Sequence, residues 1–413
     1  MISAASLLAT KQLLRLVLQR ERETIADGAP RTVAASAELV ASLKAVPSED
    51  LLTAIRRHRL ELLLQGDPLV SDLLPQLAAR LNALAKAETM AALALASFTR
   101  EVADLFEQTG IPMLVIKGVP LSLQTTGSLT ARGRGDLDLL VDPEQVGAAI
   151  ELLQRKGFVL PYGPTCVGDP SFQGHYSRWV SIELTLGRTH RQKRQWIDLH
   201  WHPTHVRGVF PRFKNLWEQR AVVEINGQAV VTLPNHWAFV HACCHAMADR
   251  WMCLRNLADV ERLSRFIEPD FSKLRNSKLR GVVKTCCVAA ELTEAPNLHS
   301  IALQASAFQK HKALRLADDA QKRGWRSLGD GEWTFRNRIR YSLHQLNLSH
   351  HPMHWLSMAL QLEVPPSSLL DVQQGHYLSV WSIMKNLLLK HASRLRGGGE
   401  DPPPPHAAQR ARE

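Results

Sequence analysis

Residues 136–141 read Asp136-Leu137-Asp138-Leu139-Leu140-Val141, and the reading of the surrounding chain turns on them. An apolar run bounded by Gly135 and by Asp142-Pro143 has the length and punctuation of a strand. Side chains two apart on a strand share a face, so both carboxylates project one way while Leu137 and Leu139 project the other. Like charges about 7 Å apart repel unless a cation lies between them. Carboxylate oxygens are hard ligands of the kind Mg²⁺ takes, usually with waters and substrate phosphates completing its shell. Two such ions ~3.5–4 Å apart can clamp the attacking and leaving oxygens of a phosphoryl displacement. A third carboxylate on a neighbouring strand would complete the site. Asp198, within Trp196-Ile197-Asp198-Leu199-His200-Trp201, has the right apolar flanks.

Working outward, Gly110-Ile111-Pro112 ends a helix and Met113 to Ile116 forms a short strand that stops at Lys117-Gly118. Pro143 to Lys156 reads as a helix capped by Gly157. Phe158 to Tyr162, Trp179 to Leu186 and Trp196 to Trp201 are candidate strands, and Asn226-Gly227 lies between two β-branched runs as in a hairpin. Strands interleaved with helices place an α/β or α+β core at 109–233. Residues 1–108 carry apolar positions three and four apart, with breaks near Asp27-Gly28, Pro47-Ser48 and Gly66-Asp67-Pro68, which predicts an N-terminal domain of four or five helices. A helical C-terminal domain is expected over 234–395, with breaks near Pro296, Gly324, Gly329 to Gly331 and Pro365-Pro366. The Gly- and Pro-rich tail 396–413 is expected to be disordered.

Composition narrows the class of protein. Of 413 residues, 50 are Lys or Arg and 39 Asp or Glu, a net charge of +11 that favours phosphate-bearing partners. No run approaches the ~20 apolar residues of a membrane span. Lys11 and Arg15 interrupt the apolar N-terminal stretch, which argues against a signal peptide. Six cysteines without a CxxC spacing fit neither a disulfide framework nor a zinc ribbon, so a reducing, cytoplasmic setting is expected.

Taken in order, Leu114-Val115-Ile116-Lys117-Gly118, then Arg132, then residues 136–141, then Ile197-Asp198-Leu199-His200-Trp201 resemble the polymerase-β-like nucleotidyltransferase superfamily. More narrowly they are similar to a bacterial nucleotidyltransferase-like family. That likeness continues through residues 239–263, where His241, His245, Trp251 and Asp259 match its helical pattern, and it covers roughly 100–265. The resemblance implies an α+β fold, a mixed-sheet nucleotidyltransferase-like core flanked by helical N-terminal and C-terminal domains. It implies transfer of a nucleoside monophosphate from ATP or another NTP, with two Mg²⁺ ions. Asp136 and Asp138 would hold both ions, and Asp198 the one that activates the acceptor hydroxyl. Lys117, Gly118, Arg132 and His200 would contact the nucleotide. Gly118 is followed by Val119 and Pro120 where the superfamily usually has Gly-Ser or Gly-Gly, so a hydroxyl and one backbone donor are missing. Lys117 and Arg132 are the obvious replacements, with Arg134 the rival arginine. The acceptor is left open among RNA, a protein hydroxyl and a small molecule or peptide natural product. A toxin-like enzyme of a bacterial defence system would share this chemistry. The rival reading is a non-catalytic nucleotide- or RNA-binding module with a vestigial metal site.

Several residues carry plainer readings. His200 would orient the site, bind phosphate or pack structurally. His241 and His245, with Cys244, lack a fourth ligand at zinc spacing, so packing of their helix is expected. Arg255 and Asp259, four apart, read as a surface ion pair. Between Arg188 and Arg220, basic residues interleave with Trp196, Trp201, Phe210, Phe213 and Trp217, a pattern suited to nucleic acid or simply to a core strand with solvated loops.

Overall fold

A computed structural model describes residues 2–27, 36–133, 135–161, 166–190, 192–267, 280–323, 355–357, 360, 370–371 and 376–377 of the chain. Six helices come first: α1 (Ala4–Asp27), α2 (Ala37–Lys44), α3 (Ser48–Arg57), α4 (Glu61–Leu64), α5 (Pro68–Leu73) and the long α6 (Pro75–Thr109). The expected breaks at Pro47 and Asp67 hold, and Asp67 caps α5 by accepting from the Leu69 amide. Next come β1 (Met113–Val115), α7 (Val119–Thr126), β2 (Leu137–Val141), α8 (Val146–Arg155), α9 (Phe172–Val180), β3 (Glu183–His190), β4 (Lys193–His200), α10 (Phe213–Glu218), β5 (Ala221–Ile225) and β6 (Gln228–Thr232). Helices α11 (Asn235–Ala248), α12 (Leu254–Ser264), α13 (Arg280–Thr293), α14 (Pro296–Ala302) and α15 (Ala307–Arg323) follow.

Three local expectations change. Trp179 and Val180, read as the start of a strand, instead close α9, which Ser171 caps by accepting from the Gly174 amide. The strand begins only at Glu183. Of Phe158 to Tyr162, Val159 alone pairs with the sheet, through an isolated bridge to Gly187; Tyr162 lies outside the described residues. Leu370–Asp371 and His376–Tyr377, placed in a helical stretch, pair as short antiparallel strands β7 and β8 across a connection of hairpin length. The expected breaks at Gly324 and Gly329 to Gly331, most of the chain from there to Arg394 and the tail 396–413 lie outside the described residues.

The described residues form two compact units that interleave in sequence. One draws on Met1–Glu101, Lys117–Gly135 and Ala221–Ser327, the other on Val102–Ile116, Asp136–Arg220 and Leu328–Glu413. In the first, α11, α12 and α13 pack on one another, and α13 also packs on α1. Glu261, fully buried in α12, takes Arg22 at 2.9 Å and Arg265 at 2.5 Å. The β5–β6 hairpin turns at Asn226 and Gly227, both at positive φ, as the sequence predicts.

The second unit carries strands in the order β3-β4-β2-β1. Strand β2 runs antiparallel to β1 and parallel to β4, and β3 is antiparallel to β4, so the sheet is mixed. Register explains its two faces. Leu139 pairs with Val115 on one side and Leu199 on the other, and all three are completely buried. One residue earlier, on the opposite face, Asp138 pairs with Asp198. Beyond β4, the buried Trp201 donates its indole N–H to the carbonyls of Arg178 (2.7 Å) and Ser181 (3.0 Å), which ties the end of β4 to the end of α9.

Candidate active site

Strands β2, β4 and β3 bring five functional side chains to one face. Asp138 and Asp198 are register partners across the parallel β2–β4 pair, and Thr185 of β3 is the partner of Asp198 on its far side. The Thr185 hydroxyl donates to Asp198 Oδ1 at 2.6 Å. Two residues along β4, His200 points to the same face by strand alternation. Its Nε2 lies 3.2 Å from Asp138 Oδ1. Its Nδ1 lies 3.0 Å from Glu183 Oε2, an ion pair on the other side of the ring.

Burial alone would strip His200 of its proton, yet the flanking carboxylates of Glu183 and Asp138 outweigh it and raise the imidazole pKa to about 9. His200 is therefore a buried cation between two acids at neutral pH. The Asp198 pKa also rises, which for a carboxylate favours the neutral form. Burial first, then repulsion from Glu183, Asp138 and Asp136, push it up to about 7, against the pull of the Thr185 hydroxyl. Asp136, exposed just before β2, thus adds its field to the cluster. Four acids against one imidazolium leave this face with excess negative charge. Among the described residues, no group of three or more His, Cys, Asp or Glu side chains converges as a metal cage. The close carboxylate pair is Asp138 and Asp198.

Of the expected nucleotide contacts, His200 lies in this unit, and Lys117, Gly118 and Arg132 lie in the other. Gly118 adopts φ 67° and ψ −128°, a backbone region open essentially to glycine, and leads into α7 with Pro120 in its first turn. Lys117 is half-buried beside it. Arg132 is not an open anion fork: its Nε and Nη2 reach Asp259 Oδ2 at 3.0 and 2.8 Å, and Asp259 is 2% exposed. The expected surface pair of Arg255 and Asp259 is thereby replaced. Asp259 is buried with Arg132, and Arg255 donates instead to the Arg132 carbonyl at 2.7 Å. Arg134 lies outside the described residues. His241 and His245 stack with ring centroids 6.4 Å apart, and His241 is buried in the helix core as expected.

Sequence reasoning missed Glu183 and Thr185, because they acquire meaning only through the β3–β4 register. The broad basic and aromatic segment also resolves. Trp201 and Phe213 are buried, Arg207 donates to the carbonyls of Trp179 and Ser181, and Arg220 lies 4.5 Å over the ring of Trp217. What remains outward on the acidic face of β4 is Trp196 and Arg194, with the exposed Lys193 at the end of the strand on its other side.

The protein is an α+β protein whose mixed sheet carries carboxylates in register on adjacent strands, joined to helical segments. The family model described as "Uncharacterised nucleotidyltransferase" matches residues 44–294, more than half of the chain, and the chain belongs to that family. Family membership makes a nucleotide the implied substrate. A crystal structure of an antigenic nucleotidyltransferase-like protein from Paracoccidioides brasiliensis is similar over 52% of this chain and 93% of that one, at 14% identity and a TM-score of 0.32. No curated protein matches the sequence. No helix among the described residues is long and apolar enough to cross a membrane.

Proposed function

We propose that this protein transfers a nucleotidyl group from an NTP to a hydroxyl acceptor, with the Asp138–Asp198 pair as its catalytic centre. The register pairing of these two carboxylates, backed by the protonated His200, carries the reading. The donor set fits Mg²⁺. Two hard carboxylates leave the rest of the shell for waters and substrate phosphates, and the surplus of acids that raises Asp198 is the imbalance a divalent cation relieves. Asp138 and Asp198 would hold the ion, with Asp136 contributing from the approach to β2. When bound, Mg²⁺ neutralises phosphate charge and polarises the α-phosphorus toward attack.

The chain's own residues do the positioning. His200 holds Asp138 Oδ1 and fixes its rotamer, Glu183 keeps His200 charged, and Thr185 fixes Asp198. Catalysis is then largely orientation and charge compensation on a rigid sheet. Asp138→Asn tests the assignment. Given α-labelled NTPs, Mg²⁺ and cell extract, the wild type is expected to label one acceptor class and the variant to lose that transfer; full transfer by the variant refutes it.

The engagement of Arg132 by Asp259, together with Val119-Pro120 after Gly118, supports a second reading as a nucleotide-binding module without turnover. Nucleotide binding by a wild type that labels no acceptor would select it.

A further inference from the structure

We propose that the acceptor is a single-stranded nucleic acid, its terminal base stacked on Trp196 and its phosphates running over Arg194 toward the turn end of the β3–β4 hairpin, where Lys193 stands. This rests on the nucleotidyltransferase reading, to which it adds the acceptor class. Trp196 and Gly187 are register partners across β3–β4. A Cβ on Gly187 would fall well under 3.0 Å from the six-membered ring of Trp196, so the indole lies directly over the glycine. The backbone of Gly187 is ordinary extended strand with both its N–H and C=O bonded to Val159, at 2.9 and 2.8 Å. Glycine there serves space and not backbone freedom: it seats a flat ring against the sheet.

The position of that ring is informative. Trp196 is two residues from Asp198, on the same face and about 7 Å along the strand. It is half-buried, and two residues further out stands the exposed Arg194. The order along this face is therefore carboxylate, aromatic plate, cation. Between Glu183 and Asp198 the chain holds Arg188, Arg191, Lys193 and Arg194 and not one acidic residue. A ring beside basic groups is how proteins hold unpaired bases and their phosphates without reading sequence. A neutral small molecule needs no such cationic hairpin, and a polyanionic strand does.

The test is binding of fluorescein-labelled RNA and DNA 12-mers by the full chain, in EDTA and without NTP, across a salt series. The expected result is binding that falls steeply with salt, weakens roughly tenfold or more in Trp196→Ala, and survives in Trp196→Phe. The exposed double variant Lys193→Gln/Arg194→Gln is expected to bind more weakly and to lower the salt slope by about 2. Unchanged binding in Trp196→Ala, or a flat salt response in the wild type, overturns the proposal. Because binding is read without turnover, the two readings fail separately. Label passing to a protein, with no Trp196-dependent oligonucleotide binding, removes this inference and leaves nucleotidyl transfer standing. Trp196-dependent binding with no transfer to any acceptor overturns nucleotidyl transfer and leaves the strand a ligand of this face and not an acceptor.

Discussion

Asp138 and His200 face each other across the parallel β2–β4 pair, Oδ1 to Nε2 at 3.2 Å, with His200 2% exposed and Asp138 7%. The imidazolium is the resident counter-charge of the acidic face. His200→Phe removes it from the buried Asp138 and the half-buried Glu183, at a cost of about 3–5 kcal/mol. His200→Gln keeps a donor toward Asp138 and is expected to cost less. Urea midpoints of the two variants against wild type check both statements.

Arg132 and Asp259 form a buried pair inside the other unit, 127 residues apart in sequence. Asp259→Asn strands the guanidinium and is expected to lower stability by about 3–5 kcal/mol, seen as a drop in the thermal midpoint. Arg132→Lys keeps the charge but loses the planar fork, so a smaller drop is expected. A normal midpoint in Asp259→Asn would return Arg132 to the pool of phosphate ligands.

Stability is expected to fall in mild acid through His58. Burial, followed by the charge of Lys11, lowers its pKa to about 4. The folded state thus binds its proton less readily than the unfolded chain, whose His titrates near 6.5. The stabilising contribution is complete above that unfolded value and is lost as pH falls from it toward 4, by about 3 kcal/mol in all. Urea midpoints between neutral pH and the folded-state value measure the loss, and His58→Leu is expected to flatten the curve in that window.

Gly227 sits at φ 82° in the β5–β6 turn. Gly227→Ala forces a side chain into the left-handed region and is expected to destabilise by roughly 1–2 kcal/mol. A chemical-denaturation curve for the variant tests this, and an unchanged midpoint would mean the turn adjusts without strain.

Much of the architecture was legible where a local pattern suffices. The alternation at 136–141, the Asn226-Gly227 turn, the helix break at Gly66-Asp67-Pro68 and the helix end at Gly110 are read within a few residues, because backbone preference and side-chain direction are local properties. Asp138 and Asp198 were legible as a pair of acids on two strands. Trp179 and Val180 were not, since aromatic and β-branched residues also end helices when, as in α9, the preceding turn is capped and one face is buried.

Chemical identity at each position, and therefore which groups can carry charge or ligate a cation, is contained in the order of residues. Partnership is not. That Asp138 lies beside Asp198, that Glu183 charges His200, that Arg132 is claimed by Asp259 and that Gly187 makes room for Trp196 all follow from strand register and helix packing. These depend on the whole chain condensing at once, because the groups involved are brought together by the burial of other residues and not by any preference of their own.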